Sequence, residues 1–501
     1  MTGKIEQAEL ALTESVVQTD QALTALGDAA EGGEVAGGLP RGWSDINLES
    51  LAKFIDYRGK TPKKTADGIP LITAKNIRDG FINREPREFI AEEDYDDWMT
   101  RGIPRLGDVV ITTEAPMGNV ARIDISEKFA LAQRSICLYL YNQEMSGYLF
   151  YALRSPEFIE KLGMNSTGTT VKGIKSGTLK KLEIPLPPLA EQTVIAQTLD
   201  TLLAQVDNIK NRLDAIPKIL KTFRQCVLAA AVSGKLTEEW RGENGCEFST
   251  WKELALRECF ECIDGDRGPN YPKKEEYINE GYCLFLSTKN VRPYGFDFSK
   301  TVYISEEKDQ ILRKGRMKRG DIVITTRGTL GYVASYDDSV THDVIRINSG
   351  MLILRKKDDS FDNDYFKILI ASPKFQKEID IQRTGSAQPQ LPAKILKEFL
   401  LNVPPAGEQT EIVRRVEELF AFADQIEHQV KNAQGRVNNL TQSILAKAFR
   451  GELTTQWRVE NPDLISGKSS AEALLAKIQA ERDKLAPKKK PKTTRKKVAK
   501  K

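Results

Sequence analysis

The chain has 501 residues, too long for one ordinary domain and enough for about three units. It is 40% apolar and 29% charged, and it contains no apolar run of 18 residues, so no segment is expected to cross a membrane. The net charge of +4 sits in the tail: from Pro487 onward there are nine Lys and Arg and no acid, and without them the rest would carry −5, so affinity for a polyanion must come from local patches.

The N-terminus, MTGKIEQAELALTESVV, is amphipathic and lacks the apolar stretch of a secretory signal. Leu10–Leu26 reads as helix. From about residue 40 a mixed α/β pattern begins. LITAKNI (Leu71–Ile77) and DVVITT (Asp108–Thr113) are β-rich runs, the latter behind a Gly-Asp turn. Tyr148–Arg154 reads as a helix ending before Ser155-Pro156. After Pro187-Pro188 a long helix follows, with apolar residues alternating by four and three at Ile195, Leu199, Leu202, Val206, Ile209, Leu213, Ile216, Leu220, Phe223 and Val227. A 3.5-residue period held this long predicts a coiled-coil seam. Pro217 falls within it, where a kink is expected, and Gly234 marks its end.

Everything then repeats. FLSTKNV (Phe285–Val291) echoes LITAKNI 214 residues on, and DIVITT (Asp321–Thr326) echoes DVVITT 213 on. Downstream the offset settles at 217: Ser372-Pro373, Pro404-Pro405 and Glu408-Gln409 match Ser155-Pro156, Pro187-Pro188 and Glu191-Gln192. The second seam runs Ile412, Val416, Leu419, Ala423, Ile426, Val430, Ala433, Val437, Leu440 and Ile444, and Gly451 closes it. Gly435 is this helix's weak point. The chain is thus one unit of about 215 residues present twice. The two helices are each other's obvious partners. Ala471–Leu485 reads as a further helix, and the basic tail as either a phosphate-attracting arm or a solubilising terminus.

Catalytic chemistry is not visible. Gly467-Lys468-Ser469 imitates the end of a phosphate-binding loop, but Pro462 stands where its first glycine belongs. Gly168 and Gly173 have the right interval, but Ile174 takes the place of the lysine. No Asn-Pro-Pro-Tyr or Asp-Pro-Pro-Tyr tetrapeptide marks an amino-methyltransferase. Cys259 and Cys262 form a single CxxC, flanked by Cys246 and Cys283; with no second knuckle they read as reduced thiols rather than a zinc site. His342 and His428 are the only histidines. What remains is binding. Loops rich in Arg, Lys, Asn, Gln, Ser and Thr suit contact with bases and phosphates. They carry Arg58, Lys60, Lys75, Asn76, Arg78, Thr113, Thr167, Thr169 and Lys172 in the first copy. In the second they carry Arg267, Lys289, Asn290, Arg292, Thr326, Arg327, Arg383, Thr384 and Gln388. Any one of these alone is a solvated turn. As a set they repeat a scaffold while changing its loops, Glu114 against Arg327 for example.

Pro187–Thr193 with its echo Pro404–Thr410, Ile216–Gln225, Val227–Ala231, Ser233–Thr237 and Leu445–Arg458 resemble the specificity subunits of type I restriction–modification systems, over about residues 40 to 460. The resemblance implies two α/β target recognition domains, 40–187 and 245–403, separated by spacer helices at 188–235 and 404–452 that pair as an antiparallel coiled coil. Helical segments at 1–38 and 460–486 and a basic tail at 487–501 complete the chain. It further implies that each domain reads one half of a split double-stranded DNA target, and that the helices set the spacing and dock two modification subunits. Restriction subunits would join them in the cytoplasm. S-adenosylmethionine, ATP and Mg would sit on those partners, with no cofactor, metal or catalytic residue in this chain. The competing readings are a self-sufficient DNA methyltransferase or nuclease, which requires cofactor binding by the chain alone, and a coiled-coil scaffold without a DNA role.

Overall fold

The computed structural model describes residues 2–29, 38–57, 61–168, 170–293, 295–385 and 388–485; Arg58, Lys60, Thr169 and the basic tail lie outside the described residues. Among the described residues there are four long helices: α1 (Thr2–Ala29), α2 (Leu189–Val232), α3 (Ala406–Phe449) and α4 (Ala471–Leu485). The chain divides into two compact units, one of Thr19–Arg212 with Ala433–Lys501, the other of Met1–Gln18 with Leu213–Asn432. Each unit therefore holds one α/β module with half of α2 and half of α3.

In the first-named unit the strands are β1 (Ser44–Asn47), β2 (Ala52–Asp56), β3 (Ile69–Ile72), β4 (Phe89–Ile90), β5 (Val109–Thr112), β6 (Val120–Arg122), β7 (Ala130–Leu131), β8 (Ser135–Leu140) and β9 (Glu183–Leu186). They form an antiparallel sheet β2-β8-β5-β6, a mixed sheet β4-β3-β7 and the pair β1-β9. DVVITT becomes β5, a central strand buried at every position because it is covered on both faces. Side chains alternate across a strand. Val110 and, opposite it, Cys137 face Leu71, Ile72, Ile90 and Leu131 of the smaller sheet, and these form one apolar core. On the second sheet face sits the helix Ser146–Ala152, with Leu149 fully buried.

The other unit repeats this topology. Its strands are β10 (Lys252–Ala255), β11 (Phe260–Asp264), β12 (Cys283–Leu286), β13 (Val291–Arg292), β14 (Gly295–Phe296), β15 (Tyr303–Ile304), β16 (Ile322–Thr325), β17 (Val333–Ser335), β18 (Ile345–Ile347), β19 (Met351–Lys356) and β20 (Leu400–Val403). The sheets run β11-β19-β16-β17, β15-β12-β18 and β10-β20. Val323 faces Ile353 as Val110 faces Cys137, again over an apolar core with the smaller sheet. β13 and β14 pair at the same offset of 214 as the isolated bridge between Ile77 and Ile82, and the offset changes instead in the loops between β2 and β3 and between β6 and β8, which differ in length from their counterparts.

α2 starts behind Pro188 and α3 behind Pro405, and both pass through Pro217 and Gly435 without leaving the helical conformation. Each ends before a glycine in the left-handed region, Gly234 (φ 74°) and Gly451 (φ 78°), where L-residues with a Cβ are disfavoured. Ile195, Leu199, Val206, Ile209 and Leu213 are buried on α2, as are Ile412, Val416, Ile426 and Val430 on α3. Leu202 and Leu419 depart from the expected seam. Both are half-exposed, and Leu203 is buried instead of Leu202. A 3.6-residue helix drifts against a 3.5-residue repeat, so the buried stripe leans by one position there. Within the unit containing Leu213–Asn432 the helices run antiparallel: Arg224 bonds Asp424 (2.6 Å) and Glu427 (3.0 Å), and Arg415 donates to the Leu236 carbonyl (2.8 Å). Phe223 meets Phe422 edge-on.

A buried carboxylate lies at the start of each long helix. Glu191 is fully buried; Trp43 Nε1 donates to its Oε2 (2.8 Å), while Thr454 Oγ1 and Arg458 Nη1 donate to its Oε1 (both 2.7 Å). In the other unit, equally buried Glu408 receives Trp251 (2.8 Å), Thr237 (2.7 Å) and Arg241. Each arginine also reaches back to the carbonyl of the helix-ending glycine, Gly451 (2.7 Å) or Gly234 (2.5 Å). Every member but the tryptophan recurs at the 217-residue shift. α4 packs on the module beside Leu48–Leu51, burying Leu474 and Ile478; α1 buries Ile5 and Leu12, and then Thr19 and Leu23.

Candidate nucleic-acid interface

Three loops of the first module meet at the end of β5. The segment after β5 is stitched to the loop after the helix Pro156–Met164: Glu114 bridges Gly173, Thr167 pairs with Gly173 in both directions (2.8 and 2.9 Å), and Ile174 N donates to Thr113 O. The turn before β8 joins them, because Thr113 N donates to Arg134 O (2.9 Å). From that turn Gln133 donates to Thr61 Oγ1 (3.3 Å). Thr167 and Lys172 are exposed on this cluster. Lys75 and Arg78 are exposed on the turn that follows β3. β3 runs parallel to β7, with Leu71 opposite Ala130, so this turn and the one before β8 leave the sheet at the same end.

The second module brings together the equivalent loops. Arg327 bridges Gln390, Thr384 pairs with Gln390 (2.8 Å both ways), and Leu391 N donates to Thr326 O. Thr326 N and Arg327 N both donate to Gly350 O. Arg267 reaches the adjoining Ser349 carbonyl (3.4 Å) and Asp264. Its loop is pinned by Asp266, which accepts from Gly268 N (2.8 Å) and Arg313 N (2.9 Å); these bonds hold its carboxyl below the usual carboxylate range, the Gly268 bond most strongly. Gln388, Arg383, Thr384 and Lys289 are exposed, Arg383 beside Asp380 (3.5 Å). Half-buried Arg292 leans on Asp297 (3.5 Å). Arg327 is half-buried and makes no ion pair among the described residues.

Four expected contact residues are corrected by their burial. Asn76 is 1% exposed: its Oδ1 accepts from Thr73 N (3.0 Å) and Thr73 Oγ1 (2.8 Å), and its Nδ2 donates to the carbonyls of Asn83 (3.1 Å) and Pro86 (3.0 Å). Asn290, 5% exposed, does the same with Ser287, Asp297 and Lys300. Both donor hydrogens are spent, so the repeated Lys-Asn pair is a lock on a turn, and only its lysine faces out. Thr113 and Thr326 are likewise buried. The sequence reading missed Gln133 and Arg134; an available signal was an arginine standing where the repeat has Gly350.

Among the described residues no three His, Cys, Asp or Glu side chains gather as a metal site. Burial pushes the thiols of Cys259 and Cys262 up to about 11 and that of Cys283 up to about 12. Gly467–Ser469 is a single turn of 3₁₀ helix with no strand before it, unlike a phosphate-binding loop. A cavity of about 750 Å³ beside Phe375 and Phe399 lies on the helix Pro373–Gln382 and β20, apart from the loops. No described helix is long and apolar enough to cross a membrane.

The family model described as the type I restriction modification DNA specificity domain matches residues 40–218 and again 249–433. Over 464 residues the chain is 37% identical to the type I restriction enzyme EcoKI specificity subunit of Escherichia coli strain K12, covering 89% of this chain and 97% of that one. It is 36% identical to the EcoBI specificity subunit of Escherichia coli over 88% of this chain and 92% of the other. In fold it is similar to a chain from a structural study of type I restriction–modification complex assembly (TM-score 0.61, 20% identity, 83% of this chain and 100% of that one). The HsdS subunit of Thermoanaerobacter tengcongensis is a second fold relative (TM-score 0.53, 21% identity, covering 84% and 99%).

Proposed function

Because this chain belongs to the type I restriction–modification DNA specificity family, we propose that its two modules, 40–187 and 245–403, each read one half of a split double-stranded DNA target. One observation carries this reading: a single scaffold occurs twice, with the same strand order in its three shared sheets, and presents different side chains at equivalent loop positions, Glu114 in one and Arg327 in the other. Lys and Arg contacts to phosphate set register, and loop side chains read base edges.

The chain is the specificity component and not the catalyst. Modification subunits supply S-adenosylmethionine-dependent methylation, with target bases flipped into their pockets. Two of them dock on the helices, and restriction subunits bring ATP- and Mg-dependent chemistry to the same cytoplasmic complex. The paired helices act as the ruler between half-sites.

The test is a module exchange. Replacing 40–187 by the same module of a relative, then sequencing methylated sites in a host with the full system, should change one half of the target. Change in both halves overturns the two-reader model. Deleting one heptad from each helix should alter the gap between half-sites; an unchanged gap rejects the ruler. Saturable S-adenosylmethionine binding by the isolated chain would favour a self-sufficient methyltransferase instead.

A further inference from the structure

Arg134 stands in a place that its own repeat fills with glycine. Its carbonyl accepts from Thr113 N as that of Gly350 accepts from Thr326 N. Its φ is 73°, in the left-handed region that non-glycine residues seldom adopt. A side chain kept there needs a reason. The ion pair it makes is a weak one for stability: Arg134 Nε lies 2.7 Å from Glu114 Oε1, with the two side chains 56% and 42% exposed. What the pair does supply is direction. The backbone of Glu114 is itself held, because it bridges Gly173. The pair is an ion pair and not a formed hydrogen bond, and neither Nη nitrogen of Arg134 makes a hydrogen bond among the described residues. Arg134 is exposed on the loop cluster that also carries Gln133, Thr61, Thr167 and Lys172.

We propose that Arg134 is a guanine reader of the first module and that Glu114 is its positioning residue. An exposed guanidinium edge with two parallel donors matches the O6 and N7 acceptors that guanine presents in the major groove. A carboxylate 2.7 Å from Nε attracts the guanidinium to this side of the loop cluster and limits where those donors can lie. The second module lacks the device: position 114 becomes Arg327 and position 134 becomes Gly350, so the carboxylate and the oriented arginine are lost together. This inference rests on the reading that the modules contact DNA. It adds which side chain discriminates and which base it selects.

The experiment uses the full complex with its modification subunits and sequences the methylated sites for wild type, Arg134→Ala, Arg134→Lys and Glu114→Gln. Arg134→Lys keeps the charge but not the fork. Both Arg134 variants should lose about tenfold or more of the preference for guanine at one position of the first half-site, with the second half-site unchanged. Glu114→Gln should relax the same position to a smaller degree. An unchanged motif in Arg134→Lys overturns the proposal. So does a uniform fall in binding to every sequence in Arg134→Ala that Arg134→Lys restores, because that is the behaviour of a phosphate contact. Relaxation at a base other than guanine overturns the base assignment. A wild-type complex that fails to discriminate any sequence would instead remove the underlying reading.

Discussion

Removing one carboxylate tests how the long helices are fastened. In Glu408→Ala the guanidinium of Arg241, 7% exposed, loses its counter-charge, and Trp251 Nε1 and Thr237 Oγ1 lose their acceptor. Breaking a buried pair by deleting one partner costs about 3–5 kcal/mol, since the remaining charge is stranded away from water. An exposed pair behaves differently: Arg224 with Asp424 and Glu427, whose carboxylates are largely exposed, should contribute about 1 kcal/mol or less. Hydrogen exchange across residues 234–251 reads the difference directly, because local opening follows local stability. Glu408→Ala should speed exchange there about a hundredfold or more, and Arg224→Ala less than about tenfold. The double change Glu408→Leu with Arg241→Met removes both charges and should recover much of the loss. If Glu408→Ala and Arg224→Ala prove equally mild, the buried carboxylate is not a fastening and the reasoning fails.

Other outcomes follow from burial and backbone geometry. Leu199→Ala and Ile216→Ala, at positions 0% and 1% exposed, should each cost about 2–5 kcal/mol in chemical unfolding. Asn76→Ala should lower stability by about 1–3 kcal/mol while leaving the methylated motif intact; a changed motif with unchanged stability would return Asn76 to the readers. Gly451→Ala should destabilise by more than about 1 kcal/mol, because φ is 78° and an added Cβ would sit 2.5 Å from Pro40. Thiol alkylation at pH 8 should label exposed Cys226 before Cys259, Cys262 and Cys283, which burial keeps protonated until the pH nears about 11 to 12; early labelling of Cys283 would contradict its burial.

Much of the fold was legible because it is written in period. The four-three spacing gave both helices and most of their seam, and β-branched runs behind Gly-Asp turns gave β5 and β16. Repetition exposed the duplication but misled about purpose at Asn76 and Asn290. A polar residue that recurs was read as a reader, when it recurs because four hydrogen bonds hold the same turn in both copies. The Glu191 and Glu408 sites were visible only as matching letters, since their partners lie far along the chain. Arg134 escaped for the opposite reason: it does not repeat, and its meaning depends on a backbone angle that composition does not disclose.

The buried carboxylates also show that repeat and folding unit are out of phase. Glu191 is met by Thr454 and Arg458, which follow the second helix, and Glu408 by Thr237 and Arg241, which follow the first. Each sequence repeat thus lends its closing arm to the other, an exchange of the kind seen in domain-swapped dimers but carried out inside one polypeptide. A chain cut between the repeats would give two fragments that each lack an arginine at their own lock, and they would become whole only by trading arms.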